Sequence, residues 1–384
     1  MKRVFAISIL NNFVSAGLAL VIPLLLLDRK VNLAEIGVII SILPLVFLFV
    51  RLLFSAFADK IGWIYFFILL NWPGTLFSAI IYFFANSTYG FLLGKVVEGV
   101  KESSYWAVIR TAIFSLAPKK KAKEATRNHA FIFLSNAFGG GAAGLGIAYL
   151  GFSLTLGVMI FASIILGIPA ALLCYAHRKN SKSKVSSVIV SLNPRGKGKA
   201  FWFVSFTLLL FSLAKYPLIT LVLPVFMAQQ LRYDYSLIGI AFMLYYFISS
   251  LATFSTLRRS FGARGVVIQC LIALFSTFLL ANLTIYFLPL FLAIAVAHGL
   301  GIGFYESIIA KVILNKLTVS VDIGLLLIPT RLAEFTSVLF AGFIVQSSGY
   351  APMFAASGIF FTAFSGISFY IIKKASKEIG ARLG

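Results

Sequence analysis

Apolar runs separated by short polar breaks recur along the whole chain. A helical crossing of a bilayer needs about 20 apolar residues. Runs of that kind fall at 4–27, 35–57, 63–85, 89–112, 128–150, 153–176, 201–228, 236–257, 265–284, 286–310, 328–347 and 351–372. The pattern predicts an all-α integral membrane protein with twelve transmembrane helices in two pseudo-symmetric halves. The one long polar connection, 177–200, is rich in Lys, Ser and Gly and predicts a flexible basic linker. It separates residues 1–176, six helices, from residues 201–384, six helices and a basic tail. The opening "MKRVFAISILNNFVSAGLALVIP" has the basic start of a signal peptide, but its apolar run continues to about Leu27 and has a counterpart near 204–227. It is therefore predicted as a retained first helix.

Composition agrees with this reading. The chain has 384 residues, 60% of them hydrophobic, with 40 phenylalanines and only 11% charged residues. Its mean hydropathy is +1.00. A soluble domain of this length could not hide so much apolar surface. A net charge of +22 would point to nucleic acid in a soluble protein, but here the position of the charge decides. Lys and Arg concentrate in alternate loops: at Lys2 and Arg3, from Arg110 to Arg127, in the linker, at Arg258, Arg259 and Arg264, and in the tail. Four of the loops between them ("ANSTYG", "YLGFSL", "ANLTIYFLP", "VQSSGYAP") carry none. This positive-inside pattern predicts a cell-membrane protein with both termini in the cytoplasm. The expected partners of the basic loops are anionic inner-leaflet lipids, not nucleic acid. Cys174 and Cys270 each sit in an apolar run without a CxxC neighbour, so neither a disulfide nor a metal site is expected.

The two halves match at an offset near 200. Pro23 corresponds to Pro224 and Gly37 to Gly239; "SAFADKIG" corresponds to "STLRRSFG", "GVKES" to "GFYES" and "RNHAF" to "RLAEF". Five matches in one order predict a duplication, and parallel six-helix repeats build one class of secondary transporter.

Three short stretches carry a family likeness. In "SAFADKIGWI", between the second and third helices, Asp59, Lys60 and Gly62 fit the pattern Gly-x-x-x-Asp-Arg/Lys-x-Gly-Arg-Arg/Lys, with Ser55 replacing the first Gly. Trp63 and Ile64 stand where basic residues are usual. In "LLGKVVEG" of the fourth helix, Lys95 and Gly99 fit Leu-x-x-x-Arg-x-x-x-Gly. In the fifth, "GGGAAGLG" is similar to a Gly-rich antiporter motif but has Leu145 at the usual Pro position. Over residues 4–372 the chain resembles the major facilitator superfamily. The resemblance implies two halves rocking about a mid-membrane site lined by the first, fourth, seventh and tenth helices. It also implies a cytoplasmic gate latch of Ser55, Asp59, Lys60, Gly62 and Arg127.

The candidate site residues are the polar groups inside those four helices. In the fourth, Lys95, Glu98, Lys101, Glu102, Tyr105 and Trp106 fall within an arc of about 140° at 100° per residue. A charge at the bilayer centre costs about 2.5–3.5 kcal/mol, so four facing lipid would cost on the order of 10 kcal/mol. They are expected to face a wet cavity or each other, the latter as an i,i+3 ladder Lys95–Glu98 and Glu98–Lys101. The first helix adds Asn11, Asn12 and Ser15; the seventh adds Lys215 and Tyr216; the tenth adds His298, Tyr305 and Glu306. Carboxylates in a low dielectric can exchange a proton near neutral pH, which makes Glu98, Glu102 and Glu306 coupling candidates. His298 is read either as a core histidine bonded to a carbonyl or as a proton carrier. Arg51 lies about 9 Å from the cytoplasmic end of its helix and is expected to snorkel.

Phosphate-binding loops, metal-ligand clusters and nucleophile elbows do not appear in the sequence, so neither an enzyme nor a cofactor is expected. The expected function is alternating-access transport of a small organic solute, polar or zwitterionic, coupled to protons, by a monomer. The alternatives are an exporter of amphipathic drug-like compounds, a lipid-handling membrane protein and a non-transporting sensor.

Overall fold

A computed structural model describes residues 2–177, 197–258, 262–313 and 319–383. All elements among these residues are helical. In a bilayer each backbone N–H and C=O must be satisfied within its own segment, and an apolar helix does this. The helices are α1 (Lys2–Asp28), α2 (Leu33–Ile61), α3 (Ile64–Phe66), α4 (Trp72–Phe84), α5 (Thr88–Leu116), α6 (Lys121–His177), α7 (Lys199–Pro217), α8 (Leu223–Gln229), α9 (Tyr235–Arg258), α10 (Gly262–Asn282), α11 (Phe287–Val312), α12 (Val319–Leu326), α13 (Ile328–Ser348) and α14 (Ala351–Leu383). The expected linker falls almost wholly outside the described residues.

Ten of the described segments are long and apolar enough to cross a membrane. Two features reconcile them with the expected twelve. The 57-residue α6 turns back at Gly151, whose φ of 76° and ψ of 173° suit only glycine, so it makes two passes. With 29 residues α5 has the length to cross, but it carries too much charge to count as apolar.

Two passes contain a widened π-helical turn, Phe67–Asn71 and Leu218–Val222. Each is followed two residues later by a proline, Pro73 or Pro224. Proline lacks an N–H and its ring clashes with the carbonyl four residues back; the wider turn absorbs both defects.

The halves of the chain meet on both faces of the bundle. On the face away from the termini, two pairs of helices cross at glycines. A Cβ on Gly37 of α2 would stand 3.1 Å from the Cα of Gly342 of α13, and one on Gly144 of α6 would stand 2.3 Å from the Cα of Gly239 of α9. Gly37 and Gly239 are repeat mates, so the two crossings follow the duplication. On the face that carries the termini, the contacts are polar. Asp59 at the end of α2 accepts from the backbone N–H groups of Ser320 (3.3 Å) and Val321 (3.1 Å) at the start of α12. Thr111 and Ser320 hydroxyls lie 2.6 Å apart, and beside them Lys197, just before α7, steadies the start of α12 within the second half by donating to Asp322 at 2.6 Å. One face closes through backbone contact, the other through polar links.

Candidate functional site

A cavity of about 260 Å³ lies between these two layers, lined from α1, α2, α5, α6, α7, α9, α11 and α13. The α5 residues that line it, Glu98, Glu102, Trp106 and Arg110, form a single i,i+4 row. Lys95, Lys101 and Tyr105 flank that row and point into helix contacts.

Each carboxylate in this region has a cation. Lys95 donates to Glu98 at 2.8 Å, and the Tyr82 hydroxyl donates to the same oxygen at 2.7 Å. Lys101, fully buried, donates to Glu102 and to the Ser15 hydroxyl, both at 2.6 Å. The expected Glu98–Lys101 rung is replaced by this Lys101–Glu102–Ser15 cluster, because Lys101 turns toward α1 over Gly74. Tyr105 is buried against α1, where its hydroxyl meets Ser8 and accepts from Asn12 at 3.0 Å.

Glu306 of α11 is completely buried. Arg110 binds it with Nη2 at 2.5 Å and Nε at 3.2 Å, and His129 Nδ1 lies 3.0 Å away. Arg110 and His129 belong to the first half of the chain, so this cluster joins the halves. Trp106 stacks on His129, and the Arg110 guanidinium lies over the Trp106 and Tyr305 rings. Deeper in the second half, Arg331 pairs with Glu334 of the same helix, and Ser212 donates to Glu334 at 3.2 Å. Lys215 projects into the cavity with its ammonium 4.6 Å from the Phe133 ring centre.

A family model of the Major Facilitator Superfamily matches residues 4–313. The chain belongs to that superfamily. Curated protein sequences give no match. Among solved structures, the human organic anion transporter MFSD10 (TETRAN) superposes with a TM-score of 0.71 at 15% identity, covering 96% of this chain and 99% of that one. A bacterial homologue of the iron transporter ferroportin, in an outward-facing state, superposes with a TM-score of 0.72 at 12% identity, covering 98% and 99%. At such identities the likeness is one of fold.

Within this superfamily fold the sequence-predicted residues divide. Asn12, Glu98, Glu102, Lys215, Tyr216 and Tyr305 line the cavity. Lys95, Lys101, Tyr105 and Glu306 stand behind the lining as its paired partners. His298 is away from it: its ring is fully buried, stacked on Phe361 and bonded through Nδ1 to the Tyr245 hydroxyl, so it is a core histidine, with a phenol where a carbonyl was expected. Arg51 does not snorkel. It is 2% exposed, turned inward against the Phe47 ring (5.1 Å) and donating to the Trp106 carbonyl at 3.2 Å.

In the gate stretch, Asp59 acts as a helix cap in trans, and Ser55 is buried 3.1 Å from where a Cβ on Gly324 would be. Gly62, with φ at 99°, ends α2. The Lys60 side chain lies outside the described residues. Arg127 sits at the rim, 3.8 Å from Glu124 and over the Phe5 and Phe131 rings.

Residues that the sequence reading passed over as site members are Arg110, His129, Arg331 and Glu334. The Arg331–Glu334 spacing of i,i+3 inside an apolar helix was the available signal for the last two.

Proposed function

We propose that this chain is a proton-coupled secondary transporter that moves a small organic solute by alternating access in the cell membrane, with both termini cytoplasmic. Membership of the superfamily and the position of the basic loops support the class and the orientation. The proton coupling rests on one observation: Glu306 of the second half is held by Arg110 and His129 of the first. When the halves rock apart at the basic face, the Asp59 and Thr111 links to α12 part along with this cluster. Glu306 then loses the Arg110 guanidinium and the His129 hydrogen bond and faces a poorly solvated cavity, where a proton is the available counter-charge. Closure brings Arg110 and His129 back and expels the proton. One proton thus exchanges per cycle, on a carboxylate whose surroundings differ between the two states.

Glu306→Gln fixes the proton-bound charge state. Proteoliposomes carrying this variant should lose pH-gradient-driven accumulation and keep downhill counterflow. Full gradient-driven accumulation by Glu306→Gln would refute the assignment of the coupling site.

A further inference from the structure

The charges around the cavity do not balance. Four of the chain's 11 acidic residues lie at mid-membrane depth: Glu98, Glu102, Glu306 and Glu334. The others lie at or near helix ends, in loops or in the tail. Each of the four is bound to one cation, by the pairs Lys95–Glu98, Lys101–Glu102, Arg110–Glu306 and Arg331–Glu334. Two further cations occupy the same depth, Lys215 of α7 and Arg51 of α2. Among the described residues neither has a carboxylate within ion-pair distance. Lys215 holds its ammonium over aromatic rings, Phe133 at 4.6 Å and Phe211 at 5.8 Å, while Glu334, already bound to Arg331, attracts it from beyond ion-pair distance. Arg51 lies behind Phe47 and Trp106 of the lining, and its buried Nε and Nη1 have no hydrogen-bond partner.

A buried cation without a counter-charge destabilises the fold, and intramembrane charges mark binding sites and pathways more often than they serve structure. The surplus is positive, and it is shared between the halves. The carboxylates that line the cavity already hold ammonium or guanidinium groups, so none is left to receive a substrate cation. Much of the rest of the wall is aromatic or apolar, with Phe133, Phe211, Trp106, Tyr216 and Ile219, interspersed with the neutral polar groups of Asn12, Ser15, Asn136, Ser212 and Thr220.

We infer that the transported solute is a small organic anion, a carboxylate or sulfonate on an aromatic or branched apolar body. This rests on the transporter reading above and narrows its substrate. The anionic head meets the Lys215 ammonium directly, and Arg51 adds attraction through the thin wall of Phe47 and Trp106. The body packs on the Phe133 and Phe211 rings. Since Arg51 belongs to the first half and Lys215 to the second, a bound anion draws the halves together and favours closure around itself. An amine gains no such partner here, and a zwitterion gains one for its anionic group and none for its ammonium.

The test compares charge states on one body. Purified protein is heated with benzoate, phenylacetate, indole-3-acetate and benzenesulfonate, with the matching neutral amides, and with benzylamine. The acids should raise the melting temperature and the amides and benzylamine should not. Lys215→Met should weaken binding of the stabilising acid about tenfold to a hundredfold, and Arg51→Met should weaken it less. Arg51→Met should also melt higher than the parent without ligand, because it removes a buried charge with no carboxylate beside it, whereas a structural role would make it melt lower; Lys215, half-buried on the cavity wall, should shift the melting temperature less.

Stabilisation by the amide or amine equal to that by the acid would overturn the inference. So would no stabilisation by any acid of the panel, or acid binding unchanged in both variants. Flux in proteoliposomes separates this from the parent reading. Acid binding without any flux would remove the transport proposal and leave the anion site, whereas gradient-driven flux of the amine alone would do the reverse.

Discussion

Glu102 and Glu306 stand at matching places in the two halves, each three residues after a glycine that lets its helix approach a neighbour. Their partners differ in kind. Glu102 is bound by Lys101 of its own helix and Ser15 of α1, all within the first half. Glu306 is bound by Arg110 and His129, both from the opposite half. A cluster inside one half moves with it as a unit. A cluster between halves is made and broken whenever they rock. The two carboxylates are repeat mates, and on the proposed cycle only the choice of partner gives one of them surroundings that depend on conformation.

The largest expected effect tests this contrast directly. Glu306→Gln leaves Arg110 buried without its carboxylate, and breaking a buried pair costs about 3–5 kcal/mol. The cost falls on the conformer closed at the basic face. Cysteines at Thr111 and Ser320, whose hydroxyls lie 2.6 Å apart, would report that conformer by disulfide yield once Cys174 and Cys270 are replaced by Ala. The yield should fall steeply in Glu306→Gln and recover when Arg110→Met is added. In Glu102→Gln it should stay near the reference, because Lys101 keeps the Ser15 hydroxyl and no link between halves is touched. Equal losses in the two glutamate variants would erase the distinction.

The opposite face should respond in the other direction, and less. Gly144→Ala places a methyl 2.3 Å from the Cα of Gly239, where backbone rather than a flexible side chain must yield. Overpacking of this kind costs about 1–3 kcal/mol, here charged to the state closed on that face. A cysteine at Thr220, which lines the cavity, should become more reactive to an impermeant reagent added from that side. Unchanged labelling would mean that the glycine crossings do not hold the face shut.

The helical architecture was legible because lipid requires apolar runs of nearly fixed length, and because charges stand out in so apolar a chain. Glu98, Glu102 and Trp106 of the α5 row were singled out for that reason, and Arg110 was not. Two of the missed residues, His129 and Arg331, share one cause. An apolar run marks where the hydrophobic part of a helix lies, not where the helix begins. The second pass of the chain's α6 region was expected to follow a fifth helix starting at 128, yet α6 starts at Lys121, which sets His129 about 12 Å inside it. The eleventh pass was expected from 328, yet α12 starts at Val319 and α13 follows after a break at Leu327, beside Pro329. Arg331 is thereby about 18 Å from the start of that pass and not at its rim. Arg51 shows a second limit. Depth along a helix follows from sequence, but the direction of a side chain around its axis depends on neighbours, and Trp106 and Phe47 turn Arg51 inward.

The smallest effect concerns Asp59, and its size separates two physical contributions at the polar face. Asp59 accepts from the N–H groups of Ser320 and Val321, so it serves α12 both as a hydrogen-bonding cap and as a negative charge at the positive end of the helix dipole. Asn caps about as well as Asp. Asp59→Asn keeps the cap and removes the charge, whose pull on the α12 dipole is worth about 0.3–1 kcal/mol, and should lower the Thr111–Ser320 cross-linking yield slightly, by a margin that shrinks as salt is added. Asp59→Ala removes the acceptor as well and should cost about 0.5–2 kcal/mol more, with little dependence on salt in the added part. If Asn and Ala lower the yield equally, the interaction is charge alone and the cap geometry contributes nothing. If Asn matches the parent at every salt concentration, the cap alone holds α12. Either outcome leaves the Arg110–His129–Glu306 cluster as the buried ionic link between the halves.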